Sequence, residues 1–323
     1  MKQKKIAIAG TGSIGTTAAY ILFLECPDIE IVMLSRESKK SWAKAFDISH
    51  CGAVFENRTI TSCSYSSCKD ADVILITAGA LPRPDGTRAD VLKDNIAIFK
   101  SILPQLAQNN PHAVFVNVTN PVDVMTYVIQ KLSGFPPERI IGSGTELDSM
   151  RLRTFIAEQY ELNPAQLTVP VVGEHGDTMV PVWGSMLYED KPLKDTTGPF
   201  DDTEKEELLH KTKRAGWDIR EAGEHSCYAI SFSAARIIKA VLGVTKESLL
   251  VSSIVHDTVC HFSGSSSITG SYISMPSQLG MGGIVSREMP KLDLTEQQQL
   301  IASAGSVRKM MKTADTLLTQ KDI

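Results

Sequence analysis

Over its first 143 residues the chain alternates short apolar runs with stretches of helical period. The apolar runs predict strands at Ile6–Ala9, Ile29–Leu34, Thr59–Ser62, Val73–Thr77, Ala113–Val118 and Arg139–Gly142. Most lack polar alternation, as expected of strands covered on both faces by helices. The intervening stretches place apolar residues on one face and predict helices, notably Ile14–Leu24, Ser41–Ser49 and Asn95–Gln108. Strand, helix and strand in that order imply β-α-β crossovers and a parallel sheet, here a doubly wound α/β sheet closing near residue 143. Beyond that point the pattern changes. Long helical periods cover Glu146–Tyr160, Thr203–Ala222, Ser226–Leu242 and Thr295–Leu318, with strand-like pieces at Thr168–Val172, Val180–Val182 and Ser271–Pro276. This half reads as an α+β domain over residues 144–323, joined to residues 1–143 without a flexible linker.

The first strand ends in Gly10, Gly12 and Gly15, spaced G-x-G-x-x-G, and a helix follows at once. That order suits a dinucleotide's pyrophosphate. Gly10 permits a tight turn, Gly12 lets the backbone approach phosphate without a Cβ, and Gly15 lets the helix pack on the strand. The free N–H groups and positive end of the helix complete the seat, formed by Gly10, Gly12, Ser13, Ile14 and Gly15. A glycine-rich structural turn is the alternative. With this seat, the first half is read as a Rossmann-type dinucleotide-binding domain and the second as the substrate-binding, catalytic domain.

About 20 residues past the last glycine such folds place a carboxylate for the adenosine ribose. Here Ser35 and Arg36 stand instead, followed by Glu37, Ser38, Lys39 and Lys40. A hydroxyl and a guanidinium suit a 2′-phosphate, so NADP(H) is favoured over NAD(H). Alternatively Arg36 stacks on adenine or lies in solvent while NAD(H) binds.

Composition narrows the class without naming the reaction. The 323 residues suffice for two domains, and the hydrophobic share of 42% and charged share of 22% are those of a globular protein. A net charge of -4 argues against nucleic acid or a membrane surface as partner. The six cysteines form no C-x-x-C pair and read as reduced thiols, with no zinc site. The N-terminal apolar run is too short for a signal peptide, so a cytoplasmic protein is expected.

Further motifs follow in order: Thr77-Ala78-Gly79; a polar loop holding Arg83 and Arg88; Val118-Thr119-Asn120-Pro121-Val122-Asp123; Glu146 to Arg151; and Gly173-Glu174-His175-Gly176-Asp177. In this order and spacing the chain resembles the lactate/malate dehydrogenase family of NAD(P)-dependent L-2-hydroxy acid dehydrogenases. The resemblance implies that His175 delivers the proton to a 2-oxo acid as hydride arrives, a role matched to an imidazole's near-neutral pKa. It implies that Asp148 holds the His175 tautomer, Arg151 clamps the substrate carboxylate, and Arg88 swings in with its loop to stabilise the oxyanion. Asn120 would bind substrate and cofactor, with the Asn120-Pro121 bond cis. Thr77, Ala78, Gly79, Asn95 and Val118 would line the cofactor. A homodimer or homotetramer is implied as well, with Ile14–Leu24 and Ser226–Leu242 as candidate interface helices. By residues alone, Asp148 and Arg151 could equally be an intrahelical salt bridge, and Arg88 a solvated loop charge.

The loop before Arg88 departs from the family. Where an arginine marks malate enzymes and an uncharged residue marks lactate enzymes, the strict position falls on Pro82. Arg83 faces either the substrate or solvent, depending on where a one-residue gap falls. The expected substrate is therefore a monocarboxylate such as pyruvate, with oxaloacetate as the alternative. By the same resemblance Ser226 would supply a small residue at the wall that closes over the substrate side chain; neighbouring His225 reads as a helix-surface histidine, with a substrate contact as the alternative.

Two other classes compete. Tyr127 and Lys131 match the Tyr-x-x-x-Lys of short-chain dehydrogenases, but GTGSIG does not match their glycine spacing and Tyr127 sits in an apolar helical pattern. A non-catalytic NADP(H)-binding sensor would have no need of Arg88, Asp148, Arg151 and His175 together.

Overall fold

The computed structural model describes residues 3–80, 87–256 and 267–320. Its first half runs β1 (Lys4–Ala9), α1 (Ser13–Glu25), β2 (Ile29–Leu34), α2 (Ser38–Ser49), β3 (Arg58–Cys63), β4 (Val73–Ile76), α3 (Arg88–Asn109), β5 (Val114–Asn117), α4 (Val122–Ser133) and β6 (Ile140–Gly142). These six strands pair in parallel in the order β3-β2-β1-β4-β5-β6. This is the expected doubly wound Rossmann sheet, reversing direction between β1 and β4, the place where such sheets bind ligands beyond their strand ends. Every side chain of β4 and β5 is buried. That accounts for the apolar sequence of both, which only Asn117 at the end of β5 interrupts.

The second half continues with α5 (Glu146–Tyr160), the short strands β7 (Leu167–Thr168), β8 (Val171–Val172), β9 (Val180–Pro181), β10 (Leu187–Tyr188) and β11 (Lys191–Pro192), and α6 (Lys194–Thr197). Then come α7 (Asp202–Glu221), α8 (Tyr228–Val241), β12 (Ser248–Ile254), β13 (Tyr272–Gly280), β14 (Gly283–Arg287) and α9 (Leu294–Thr319). The periodicity located α5 and α7–α9 to within about two residues. It missed β12 and β14, which join β13 as an antiparallel extension of the Rossmann sheet beside β6. Ser248, Ser252 and Ser253 interrupt the apolar run of β12, yet the latter two are buried. Helix α3 also starts earlier than expected, because Thr87 and Asp90 form a capping box there.

Two apolar layers sandwich the sheet. One packs β-strand residues such as Ile74 and Phe115 against α3, α4 and α9; the other packs Ile8 and Val116 against α1 and α8. Helix α8 crosses between the halves: Ser231 Oγ donates to the Ile14 carbonyl at 2.9 Å, and the Ser233 hydroxyl lies 3.4 Å from Met150 Sδ on α5. Tyr127 packs edge-on against Tyr272 and donates its hydroxyl to Asp315. It is a helix–helix anchor, not the tyrosine of a short-chain dehydrogenase site. Among the described residues no helix is long and apolar enough to cross a membrane.

The turn after β1 is where packing is tightest. Gly10 adopts φ +113°, and a Cβ on Gly15 would stand 2.0 Å from the Gly10 carbonyl oxygen. Gly15→Ala is therefore expected to cost about 1–3 kcal/mol of stability, read as a lowered urea midpoint; an unchanged midpoint would contradict this packing.

Candidate active site

The glycine turn sits at the C-terminal edge of the parallel sheet. Thr77, just after β4, donates its hydroxyl to the Gly10 carbonyl at 2.9 Å, and the Ala78 amide donates to the Ala9 carbonyl at 2.8 Å. Gly10 and Gly15 are thus held by protein contacts, whereas nothing lies within 4 Å of where a Gly12 Cβ would be. Gly12 caps α1 with no side-chain partner for the first amides. An open backbone surface at a helix N-terminus fits a pyrophosphate. Lys44 on α2 reaches across to the Thr11 carbonyl, bringing a cation to this turn that the sequence reading missed.

The loops after β4 and β5 are locked together. Asn95 on α3 is buried; its Oδ1 accepts the Ala80 amide at 2.6 Å and its Nδ2 donates to the Asn120 carbonyl at 2.7 Å. Its amide is thereby used as a strut between the two loops. The Thr119 hydroxyl donates to the Ala78 carbonyl, and Gly79 lies where a Cβ would collide with Thr119 Cγ2. Val118 is buried, Asn120 is exposed, and the Asn120-Pro121 bond is cis as expected.

Across from these loops the first turn of α5 meets the loop after β8. Thr145 and Ser149, on either side of Asp148, bond to the carbonyl and amide of Val171. That docking brings Asp148 Oδ2 to 2.6 Å from His175 Nδ1 and leaves Nε2 as the imidazole's other nitrogen. The same carboxylate's Oδ1 lies 3.4 Å from Arg151 NH1. Asp148 is only 1% exposed, against 22% for the His175 side chain and 16% for Arg151. Burial lowers the His175 pKa, but Asp148, and less strongly Asp123, outweigh burial and the opposing Arg151, so the net shift is upward. The Arg151 guanidinium lies over Gly216 of α7, where an added Cβ would be 3.3 Å from NH2.

Each amide of the Gly173-Glu174-His175 segment is pinned from a different element. Gly173 N–H donates to Ser274 of β13, Glu174 N–H to Ser303 of α9, and His175 N–H to Asp123 of α4, at 3.0, 2.8 and 2.8 Å. Glu174 is buried and bonds the Thr178 hydroxyl. Three elements remote in sequence therefore fix the histidine's main chain.

The remaining predicted residues lie around this centre. Ser35 is half-buried at the end of β2, its hydroxyl accepting the Glu37 amide at 3.1 Å, and Arg36 is exposed. Ser226 is half-buried just ahead of α8, and His225 beside it is exposed. Of Arg88, the first residue of α3, the structure describes only the backbone; Pro82 and Arg83 lie outside the described residues. No group of three or more His, Cys, Asp or Glu side chains among the described residues is placed to hold a metal.

The family model for the lactate/malate dehydrogenase NAD binding domain matches residues 4–142, and that for the alpha/beta C-terminal domain matches residues 145–317. The chain belongs to the lactate/malate dehydrogenase family. It is 34% identical to the L-lactate dehydrogenase of Clostridium botulinum (strain Hall) over 317 residues, covering 97% of this chain and 98% of that one. The L-lactate dehydrogenase of Clostridium perfringens (strain SM101) is also 34% identical, over 94% of this chain and 95% of its own. Among solved structures, a lactate dehydrogenase from a Medee basin deep-sea metagenome library superposes with a TM-score of 0.89 at 28% identity, covering 98% and 100% of the two chains. The minor L-lactate dehydrogenase of Enterococcus mundtii, in a ligands-bound form, gives 0.87 at 27% identity, covering 99% and 100%. Membership of this dehydrogenase family makes the chain an oxidoreductase with a nicotinamide-binding Rossmann half.

Replacing Asp148 with Asn keeps its shape and removes its charge. Asp148→Asn is expected to lower the His175 pKa and cut turnover by about 10²-fold or more, while leaving nucleotide affinity unchanged in a fluorescence titration; full activity would contradict the pairing.

Proposed function

We propose that the chain reversibly reduces a short monocarboxylic 2-oxo acid of the pyruvate type to its L-2-hydroxy acid, preferring NADP(H). The observation that carries this reading is the 2.6 Å contact of His175 Nδ1 with the buried Asp148, next to the Arg151 guanidinium. On this reading residues 1–143 hold the dinucleotide and residues 144–323 the substrate. The lactate dehydrogenases among its relatives support the monocarboxylate over oxaloacetate.

A bound nicotinamide supplies or takes up the hydride. The chain's own groups do the rest. With Nδ1 held by Asp148, protonated His175 donates from Nε2 to the carbonyl oxygen; in the reverse direction the neutral ring accepts that proton. Reduction should therefore decline as pH rises through the raised pKa of His175, and oxidation should increase over the same range. Arg151 meets Asp148 with one nitrogen at a long 3.4 Å, so its guanidinium retains donors for a two-pronged grip on the substrate carboxylate. Arg88, at the start of α3, would stabilise the oxyanion; Asn120 and Ser226 would contact the substrate, and Arg83 is kept as a candidate contact.

The glycine turn would seat the pyrophosphate, and Thr77, Ala78, Gly79, Asn95 and Val118 would shape the pocket beyond it. The NADP(H) preference is supported by Ser35 and an exposed Arg36 in place of a carboxylate. The neighbouring Glu37 is neutralised by Lys40 at 2.7 Å. Self-association belongs to the same reading: Tyr20 on α1 and Tyr228 and Phe232 on α8 are exposed, as are the stacked Trp42 and Phe46 on α2.

A panel of 2-oxo acids with NADH and NADPH tests the proposal. Pyruvate-type acids should be consumed with a higher kcat/KM on NADPH, and Arg36→Ala should remove about tenfold or more of that preference. Unchanged NADPH use in the mutant would sink the cofactor assignment. Arg151→Lys should raise KM for the acid by about 10–100-fold with nucleotide binding intact; an unaltered KM would refute the clamp.

A further inference from the structure

Behind the His175–Asp148 pair stands a second carboxylate that the proposed chemistry leaves unused. Asp123 lies in the first turn of α4, only 3% exposed, and its Oδ2 accepts the His175 backbone N–H at 2.8 Å. Its Oδ1 and the buried hydroxyl of Ser252 on β12, which faces this carboxylate, have no other hydrogen-bond partner among the described residues.

Accepting one amide does not require a charge. Buried asparagines do this elsewhere in the chain, where Asn95 takes the Ala80 amide, Asn110 the Ala71 amide and Asn117 the Thr119 amide. Position 123 carries a carboxylate instead, and its partner is the His175 main chain. An aspartate costs more to bury than an asparagine. What it adds is negative charge beside the imidazole.

We infer that Asp123 is a positioning residue for the proton-transfer step, fixing the main chain at His175 and, through its charge, helping to hold the imidazole protonated. This rests on the reading of His175 as proton donor. The groups facing the pair define its electrostatics. Asp148 and Arg151 face His175 from α5, in opposite senses, and Asp123 faces it from α4. Asp123 is faced in turn by His175 and Glu174 from the loop and by the Ser252 hydroxyl from β12. Burial pushes the Asp123 carboxyl up to about 6, against the help of Ser252 and His175. Its charge is consequently present at neutral pH and lost just below it, where Asp148 alone supports the imidazolium.

The full-length chain and its Asp123→Asn and Ser252→Ala variants test this by NMR titration of the His175 ring, alongside pH profiles of kcat/KM for 2-oxo acid reduction. Asn keeps an acceptor for the His175 amide and can donate to Ser252, so it isolates the charge. In Asp123→Asn the His175 pKa should fall by about one unit, and the pH at which reduction declines should fall with it, nucleotide affinity being unchanged. Ser252→Ala removes a group that favours ionised Asp123, so it should move both in the same direction by less. An unchanged His175 titration in Asp123→Asn overturns the inference; if that variant does not fold, an unchanged titration in Ser252→Ala does so. The ring titration needs no turnover. A wild-type chain that reduces no 2-oxo acid would refute the proposed reaction separately, with the Asp123 question still decided by NMR.

Discussion

A buried carboxylate has to be paired, and the pairing of Asp148 with His175 sets what the rest of the second half must do. With 1% exposure Asp148 has little water to solvate it, and removing one partner of such a pair typically costs about 3–5 kcal/mol. The pair forms only if the first turn of α5 and the loop after β8 are held in register, though they are separated by 27 positions in sequence. Thr145 and Ser149 meet that demand by bonding Val171, so the helix and strand carry the carboxylate and the imidazole toward each other. The antiparallel extension β12–β14 completes the support, since Ser274 on β13 bonds both the Thr145 amide and, through its main chain, Gly173.

The two halves of the chain need different kinds of precision. The dinucleotide half relies on close backbone approach: a Cβ at Gly10 or Gly15 would collide with Thr77 or with backbone, and within this turn Gly12 alone is left open. The second half relies on polar anchoring, with serines from β13 and α9 and aspartates from α4 and α5 taking the donors of the histidine loop. Helix α8 transmits the position of one half to the other, touching Ile14 at the glycine turn and Met150 between Asp148 and Arg151. A shift of α1 against the sheet would thus be felt within one residue of Arg151.

How much of this was legible in the sequence follows from the same distinction. Parallel strands buried on both faces are continuous apolar runs, which is why β2 was readable to the residue and a doubly wound parallel sheet followed. Strand β12 was not, because Ser252 and Ser253 are buried polar residues whose environment comes from β13 and β6, remote in sequence. The start of α3 was legible in principle, as the T-x-x-D of Thr87 and Asp90 is a capping signal. Asp148, Arg151 and His175 stood out only through their motifs; that one carboxylate serves both cations is a fact of three dimensions. Asp123 was visible as a letter in the motif after Asn120, but its contact lies 52 residues away at a backbone amide, which no spacing rule reveals.

The pH dependence of stability gives these buried groups a common consequence. Asp123 keeps its proton to about pH 6 in the folded chain, against an ordinary value near 3.8. Between those values the folded state binds more protons than the unfolded chain, so stability falls as pH rises, by roughly 3 kcal/mol for a shift of this size. His175, also raised, is protonated in the folded chain at pH values where an unfolded histidine is neutral, and its contribution is full below 6.5 and lost as pH rises through its folded value. Both terms therefore lower stability as pH rises, Asp123 by the cost of its ionisation and His175 by the loss of a stabilising charge. An asparagine at 123 could accept the His175 amide without that cost of ionisation, as asparagines accept amides at 95, 110 and 117. Retaining a carboxylate there is intelligible where an imidazolium must be sustained in the pH range in which the reaction runs.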